Sequence, residues 1–255
     1  MLGKLLKYEI KASSRKFLPI YGGIFAASIL TNISLNFFTS DLLRMITFII
    51  LTSLFAALGV LTILTVIQRF KDNLFGDEGY LMLTLPVAPE KIILSKAISA
   101  LLWAVLSEIM GIISVVTVLL NKDFIEGFTA FVKNFGDIAE YINASNVITV
   151  ILLMICMLSQ YIYFVLTVYT SLSIAQTPPF IKRRGLSAFL WFLGISIVVS
   201  TIVLKISTAI FPNNAYMAFH ELNPALIWGI FTNLFWSAIM LSVSSFILRN
   251  HLNLE

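Results

Sequence analysis

Six long apolar segments constrain this 255-residue chain more than any other feature. A helix needs about 20 mostly apolar residues to cross the hydrocarbon core of a bilayer, and every segment reaches that length. The segments are 18–38, 42–67, 97–120, 146–175, 186–211 and 224–248. Because backbone polar groups must be satisfied internally in hydrocarbon, these segments should be helices. The sequence therefore predicts an all-α, polytopic membrane protein with six transmembrane helices in a single transmembrane domain, 1–255.

Composition and charge agree with a lipid environment. Hydrophobic residues make up 59% of the chain, charged residues 12%, and the mean hydropathy is +0.95. A soluble domain usually has about 25% charged residues, so water is a poor solvent for most of this chain. The net charge of +4 comes from basic residues between the apolar segments, which indicates membrane orientation and no nucleic-acid partner.

The basic residues are distributed unequally between the two sides of the predicted membrane. Of the 17 Lys and Arg residues, 13 lie in the N-terminal arm, the second and fourth connections and the tail, and 4 lie on the other side. The positive-inside rule then places both termini in the cytoplasm. The first segment follows a 17-residue arm, so we expect it to be retained and not cleaved as a signal peptide.

Two segments outside the spans have amphipathic patterns. Residues 1–17 combine leucines and lysines at helical spacing, which predicts a helix in the headgroup layer, or simply a basic flank that fixes orientation. The outer loop 121–145 has phenylalanines three or four residues apart, at positions 124, 128, 131 and 135. We expect a short amphipathic helix there, lying on the outer membrane surface or capping the exit of a pathway.

The longest cytoplasmic connection, residues 68–96, carries the clearest motif. It contains an acidic–glycine cluster at 77–79 (DEG), then Leu81, an LPV triplet at 85–87, and a stretch at 92–96 that opens the third span. This order resembles the cytoplasmic loop of the type-2 ATP-binding-cassette (ABC) permeases. The six-span layout, the amphipathic N-terminus and the cytoplasmic termini are similar to that family too. The resemblance implies a subunit of an ABC transporter, most often an exporter, in a bacterial plasma (inner) membrane.

In that family the loop after the second span forms a coupling helix that fits a groove on a cytosolic ATPase. The resemblance assigns this contact to Phe75, Asp77, Glu78, Tyr80 and Leu81. The two acids could pair with basic groups of the ATPase, or could instead cap a helix start, where carboxylates offset the helix dipole. The family also requires a second permease subunit, so we expect a homodimer or a pair of related chains.

Catalytic and cofactor motifs are missing from the sequence. The G-x-x-x-x-G-K-[S/T] phosphate loop does not occur, and the one Gly-Lys pair, Gly3-Lys4, leads into Leu5. The resemblance then implies that ATP is bound by a partner subunit. No His/Cys or His/Asp set has metal-ligand spacing. We expect no catalytic residues, no metal and no cofactor in this chain, and no enzyme activity of its own.

Polar residues inside the spans are the candidates for a substrate pathway. Glu108, midway along the third span, could meet a cationic substrate or pair with another helix. In the fourth span, polar residues recur every three or four positions, so they share one helix face. The pathway candidates in this stripe are Gln160, Tyr163, Thr167 and Thr170, flanked by Cys156 and Ser171. The alternative is hydrogen bonding between helices.

These observations leave three functions open. The first is the permease of an ATP-driven exporter whose substrate is a peptide, a drug-like amphiphile or a lipid-like molecule. The second is a membrane sensor or scaffold that recruits a cytosolic partner. The third is an ion-coupled carrier that uses Glu108 as its proton site.

Overall fold

Seven α-helices make up almost all of the chain that the structure, a computed structural model, describes. The described residues are 2–75, 88–133, 144–178, 183–211 and 222–250, and no strand occurs among them. The helices are α1 (Leu2–Phe37), α2 (Asp41–Phe75), α3 (Pro89–Leu119), α4 (Lys122–Lys133), α5 (Ala144–Ala175), α6 (Arg184–Ile210) and α7 (Asn223–Asn250). All except α4 are long and apolar enough to cross a membrane. The predicted all-α fold with six spans is confirmed.

The surface of the six long helices is apolar. Ile112 on α3 is 65% exposed and Leu204 on α6 is 64% exposed, with many Ile, Leu, Val and Phe side chains like them. A soluble monomer rarely exposes apolar patches of this extent, because water does not solvate them favourably. The chain is a multi-pass membrane protein, and these side chains face lipid or another protein.

The helices are longer than the apolar segments that predicted them. The predicted interfacial helix 1–17 is not separate from the first span, because α1 runs without a break from Leu2 through Pro19 to Phe37. Both ends of the predicted loop 68–96 are helical, since α2 continues to Phe75 and α3 begins at Pro89, and residues 76–87 lie outside the described residues. Proline suits the first turn of a helix, where its missing N–H would have no partner. Within the outer loop 121–145, α4 provides the predicted helix.

The contacts divide the chain into two compact units. One unit contains Lys4–Thr65 and Leu102–Ile142, and its core combines buried residues of α1, α2 and α3. The Phe17 ring stacks on Trp103 with centroids 4.8 Å apart. These core residues are Phe17, Ile24, Ala27, Leu51, Leu58 and Trp103.

Polar contacts fix the register of α1 against α3 in this unit. The Tyr21 hydroxyl lies 2.9 Å from Ser107 Oγ. Two turns further along both helices, Ser28 Oγ lies 2.6 Å from Ser114 Oγ. Both pairs are 86 residues apart, so the two helices advance together in the same direction. Spans one and three must run in parallel when successive spans alternate in direction, and these contacts meet that requirement.

The other unit contains Met1–Gly3, Val66–Leu101 and Asn143–Glu255. Here the Phe70 ring of α2 stacks on Tyr169 of α5 with centroids 4.2 Å apart. The α5 helix packs against both α6 and α7. Three hydrogen bonds join α5 to α7 along their length, and they show the two helices to be parallel, as spans four and six should be. They are Thr149 to Asn223, Asn233 to Ser159 and Thr170 to Met240.

Candidate ligand-binding cavity

A cavity of about 460 Å³ lies among α5, α6 and α7. This volume is in the range of small-molecule sites, which are usually about 300–1,000 Å³. Four of its residues come from α5, seven from α6 and three from α7. The lining residues are Gln160, Tyr163, Phe164, Thr167, Phe192, Ser196, Val199, Ser200, Val203, Leu204, Ser207, Thr232, Asn233 and Trp236.

Helical periodicity explains how each helix contributes one face to the cavity. On α5 the lining positions are 160, 163, 164 and 167, which are three or four residues apart and share a face. On α7 the lining positions are 232, 233 and 236. The α6 helix supplies serines at 196, 200 and 207, with apolar residues between them.

A close approach of α5 and α7 lies beside the cavity. A Cβ atom on Gly229 of α7 would lie 3.3 Å from Cys156 Sγ of α5, closer than ordinary van der Waals contact. Glycine therefore lets the two backbones approach, as small residues do between membrane helices. One turn further along α7, the Asn233 amide nitrogen donates to Ser159 Oγ at 3.2 Å. The two contacts position the α7 residues that line the cavity.

Several hydroxyl groups in the cavity wall donate hydrogen bonds within their own helix. Thr167 donates to the Tyr163 carbonyl oxygen at 2.8 Å, and Thr232 donates to that of Gly229 at 3.0 Å. Gln160 differs, because its amide makes no hydrogen bond with the described part of the chain and its side chain is exposed. It can therefore both donate to a ligand and accept from one.

The described residues that line the cavity are uncharged. None of its described lining residues is Asp, Glu, Lys, Arg or His. An ion entering the cavity would lose hydration without gaining a counter-charge, which costs several kcal/mol per ion in a protein interior. The hydrogen-bonding side chains and aromatic rings instead suit an uncharged ligand with both polar and apolar parts.

A second, more open cavity of about 510 Å³ adjoins the same face of α5. It is lined by Cys156, Met157, Gln160, Tyr161 and Phe164. Gln160 and Phe164 line both cavities, so they separate one from the other. Cys156 is the only cysteine of the chain and is half-buried.

The structure brings three of the predicted pathway residues together. Gln160, Tyr163 and Thr167 line the first cavity. Thr170 does not line it, because its buried hydroxyl shares its one hydrogen between the carbonyl oxygens of Leu166 at 2.8 Å and Met240 at 2.9 Å. Thr170 thus makes the helix–helix hydrogen bond that was the alternative interpretation of the stripe.

The remaining predicted residues lie elsewhere. Glu108 belongs to the other compact unit, on an exposed face of α3, and forms no ion pair or hydrogen bond with any described residue. Phe75 is the last residue of α2. The other predicted ATPase contacts, Asp77, Glu78, Tyr80 and Leu81, lie outside the described residues.

Sequence reasoning missed the contribution of α6 to the cavity. Ser196 and Ser200 are four residues apart, and Ser207 follows seven residues later, so the three lie near one helix face. That spacing of the serines was the one signal in the sequence that α6 lines the cavity. It is weak, because a serine in a membrane helix can satisfy its own hydroxyl: Ser200 donates to the Ile197 carbonyl oxygen at 3.0 Å.

Among the described residues, no group of three or more His, Cys, Asp or Glu side chains could bind a metal ion. Comparison of the chain with models of protein families, with characterised proteins and with solved structures finds no match. The resemblance to type-2 ABC permeases thus stays a prediction from the sequence.

Proposed function

We propose that this chain is the membrane-spanning permease subunit of an ATP-driven ABC exporter, with ATP bound and hydrolysed by a separate cytosolic subunit. The observation that best supports the proposal is the uncharged, partly polar cavity among three membrane-spanning helices. A lipid-facing surface has no use for a cluster of hydrogen-bonding side chains, and closely packed helices would fill the space. A cavity there is what a translocation pathway requires.

The proposed coupling to the ATPase uses the connection between α2 and α3. The resemblance assigns Phe75, Asp77, Glu78, Tyr80 and Leu81 to the contact. The same connection leads into α3, where Glu90 Oε1 accepts a hydrogen bond from Ser245 Oγ of α7 at 2.6 Å. Movement of the connection would therefore reach α7, one of the three helices around the cavity.

Orientation, location and assembly belong to the same proposal. The excess of basic residues in the N-terminal arm, the second and fourth connections and the tail favours cytoplasmic termini in a bacterial plasma membrane. A second permease subunit, identical or related, would complete the pathway. The substrate classes are a peptide, a drug-like amphiphile or a lipid-like molecule.

The two alternative functions have less support. A proton-coupled carrier of this kind would use Glu108 as its proton site, and Glu108 does not line the cavity. A sensor or scaffold needs only the connection between α2 and α3 to bind its partner, so that function does not explain the cavity.

Co-purification from the native membrane tests the proposal. The detergent-solubilised chain should bring down an ATPase, whereas the double variant Glu78→Lys, Tyr80→Ala should not. The double variant must remain in the membrane at the native level, as a control for folding. If no ATPase accompanies the native chain in several mild detergents, the proposal fails.

A further inference from the structure

We infer that the cavity among α5, α6 and α7 selects an uncharged, hydrogen-bond-donating amphiphile of one or two rings, and that Gln160 determines this selectivity. The inference rests on the proposed function only where the ligand is called a transported substrate. Binding itself depends on the cavity wall alone. The inference leaves the drug-like amphiphile as the one substrate class of the three, because an uncharged cavity of this size excludes peptides with charged ends and whole phospholipids.

The exclusion of ions follows from the lining. The cavity is partly open and lies among helices whose outer surfaces are apolar, and no described lining residue carries a charge. A cation could be attracted to the face of Trp236 or Phe192, but this attraction is smaller than the cost of removing an unpaired ion from water. An anion would meet no basic side chain among the described lining residues. Neutral ligands are therefore preferred over charged analogues of the same shape.

The requirement for a hydrogen-bond donor follows from how the wall groups are used. The hydroxyls of Thr167, Ser200 and Thr232 donate within their own helices, so their remaining capacity is to accept. The Asn233 amide nitrogen donates one of its two N–H groups to Ser159, which leaves its oxygen as an acceptor and its second N–H as a donor. Most of the polar groups of the wall can therefore still accept a hydrogen bond, and a ligand with O–H or N–H groups would donate to them.

The size and shape of the ligand follow from the volume and the rings. A volume of about 460 Å³ equals that of roughly fifteen water molecules at about 30 Å³ each. The Phe164 and Phe192 rings meet edge to face, with centroids 5.9 Å apart and planes at 87°. They form an aromatic wall against which the ring of a ligand can pack.

Gln160 is the specificity-determining residue because it alone combines three properties. Its amide has no partner among the described residues, it lines both cavities, and it can donate as well as accept. Glutamate has nearly the same shape but adds a negative charge. A Gln160→Glu substitution should therefore change which ligands bind, without changing the space available to them.

Three dansyl probes of similar size test the inference on the full chain in nanodiscs, without any ATPase. They are dansylamide, which is neutral, dansylglycine, which carries a carboxylate, and a dansyl derivative ending in trimethylammonium. Binding is measured as energy transfer from tryptophan to dansyl, since Trp236 lines the cavity. A Trp236→Phe variant identifies the part of the signal that comes from this site.

The native chain should bind dansylamide at least tenfold more tightly than either charged probe. Gln160→Glu should reverse the order of the neutral and cationic probes. Ser196→Ala should weaken dansylamide binding by about two- to tenfold, which corresponds to one hydrogen bond. The matched control Ser242→Ala, on an exposed face of α7 outside the cavity, should leave binding unchanged.

The inference is overturned if the native chain does not bind dansylamide, if it binds the charged probes equally well, or if Gln160→Glu leaves their order unchanged. Because no ATPase takes part in the binding assay, its result does not depend on whether an ATPase co-purifies with the chain. Selective binding with no ATPase partner would contradict the permease proposal alone, and an ATPase partner without selective binding would contradict only this inference.

Discussion

Asn32 should be a strong determinant of the packing of α1 against α3. Its side-chain amide nitrogen donates to the carbonyl oxygens of Val118 at 3.1 Å and Leu120 at 2.7 Å. The α3 helix ends at Leu119, so the Val118 carbonyl lies in its last turn, where the helix supplies no N–H partner, and the Leu120 carbonyl lies just beyond its end. One side chain of α1 thus satisfies two acceptors at the end of another span.

The magnitude follows from the two hydrogen bonds. Each bond contributes about 0.5–1.5 kcal/mol, so Asn32→Leu should lower the free energy of unfolding by about 1–3 kcal/mol. Asn36 provides a matched control one turn further along α1. Its amide nitrogen donates at 3.0 Å to the Asn32 carbonyl oxygen of its own helix, and its side chain is exposed. Asn36→Leu makes the same chemical change and should cost less than about 0.5 kcal/mol.

The assay is reversible unfolding in mixed micelles by increasing the mole fraction of denaturing detergent. Trp103, which is buried against Phe17, reports on this unit when Trp191, Trp228 and Trp236 of the other unit are replaced by phenylalanine in every protein compared. The free energies of the native chain and the two variants are compared at the same detergent composition. If Asn32→Leu is as stable as Asn36→Leu, the reasoning is refuted, because the two acceptors would then not depend on Asn32.

Three further predictions concern the other unit and the orientation of the chain. Gly229→Val should lower the free energy of unfolding by about 1–3 kcal/mol, because the added methyl groups would clash with Cys156. In a double-mutant cycle, Cys156→Ala should restore part of that loss. Ser245→Ala should lower the free energy of unfolding by no more than about 1 kcal/mol, because its partner Glu90 is exposed. The effect of Ser245→Ala should disappear in a Glu90→Ala background, and equal effects in both backgrounds would contradict the hydrogen bond. Tags at both termini should be cleaved by protease only after the cytoplasmic face is opened, and cleavage of either tag in intact cells would contradict the orientation.

The six spans could be predicted from the sequence because length and hydropathy decide whether a helix can cross a bilayer. Their ends could not be predicted, because a helix continues past the apolar core wherever its backbone remains hydrogen-bonded. Arg69 and Lys71 follow the apolar segment 42–67 but do not end the helix, since long basic side chains can extend toward the headgroups. Pro89 begins α3, because proline fits the first helical turn, where its missing N–H would have no partner.

The cavity could be predicted only from its α5 side. The stripe on α5 identified Gln160, Tyr163 and Thr167, but spacing along one helix cannot show where a neighbouring helix makes contact. Thr167 and Thr170 belong to the same stripe, yet only Thr170 donates to α7, at the Met240 carbonyl oxygen. This difference depends on how α5 and α7 pack, and so on Gly229, which gives no polar signal in the sequence.

The permease proposal requires that ATP bound to the partner changes the helices around the cavity. Cys156 can report such a change because it is the only cysteine of the chain, lines the second cavity and lies against Gly229 of α7. The measurement is its rate of modification by a membrane-impermeant thiol reagent in the complex purified from the native membrane. Cys156→Ser provides the background from the cysteines of the partner.

The rate should differ severalfold between the nucleotide-free complex and the complex with a non-hydrolysable ATP analogue. In the Glu78→Lys, Tyr80→Ala variant, the rate should be the same with and without the analogue. A native complex whose Cys156 reacts at one rate in every nucleotide state would contradict the proposal that this chain is moved by an ATPase.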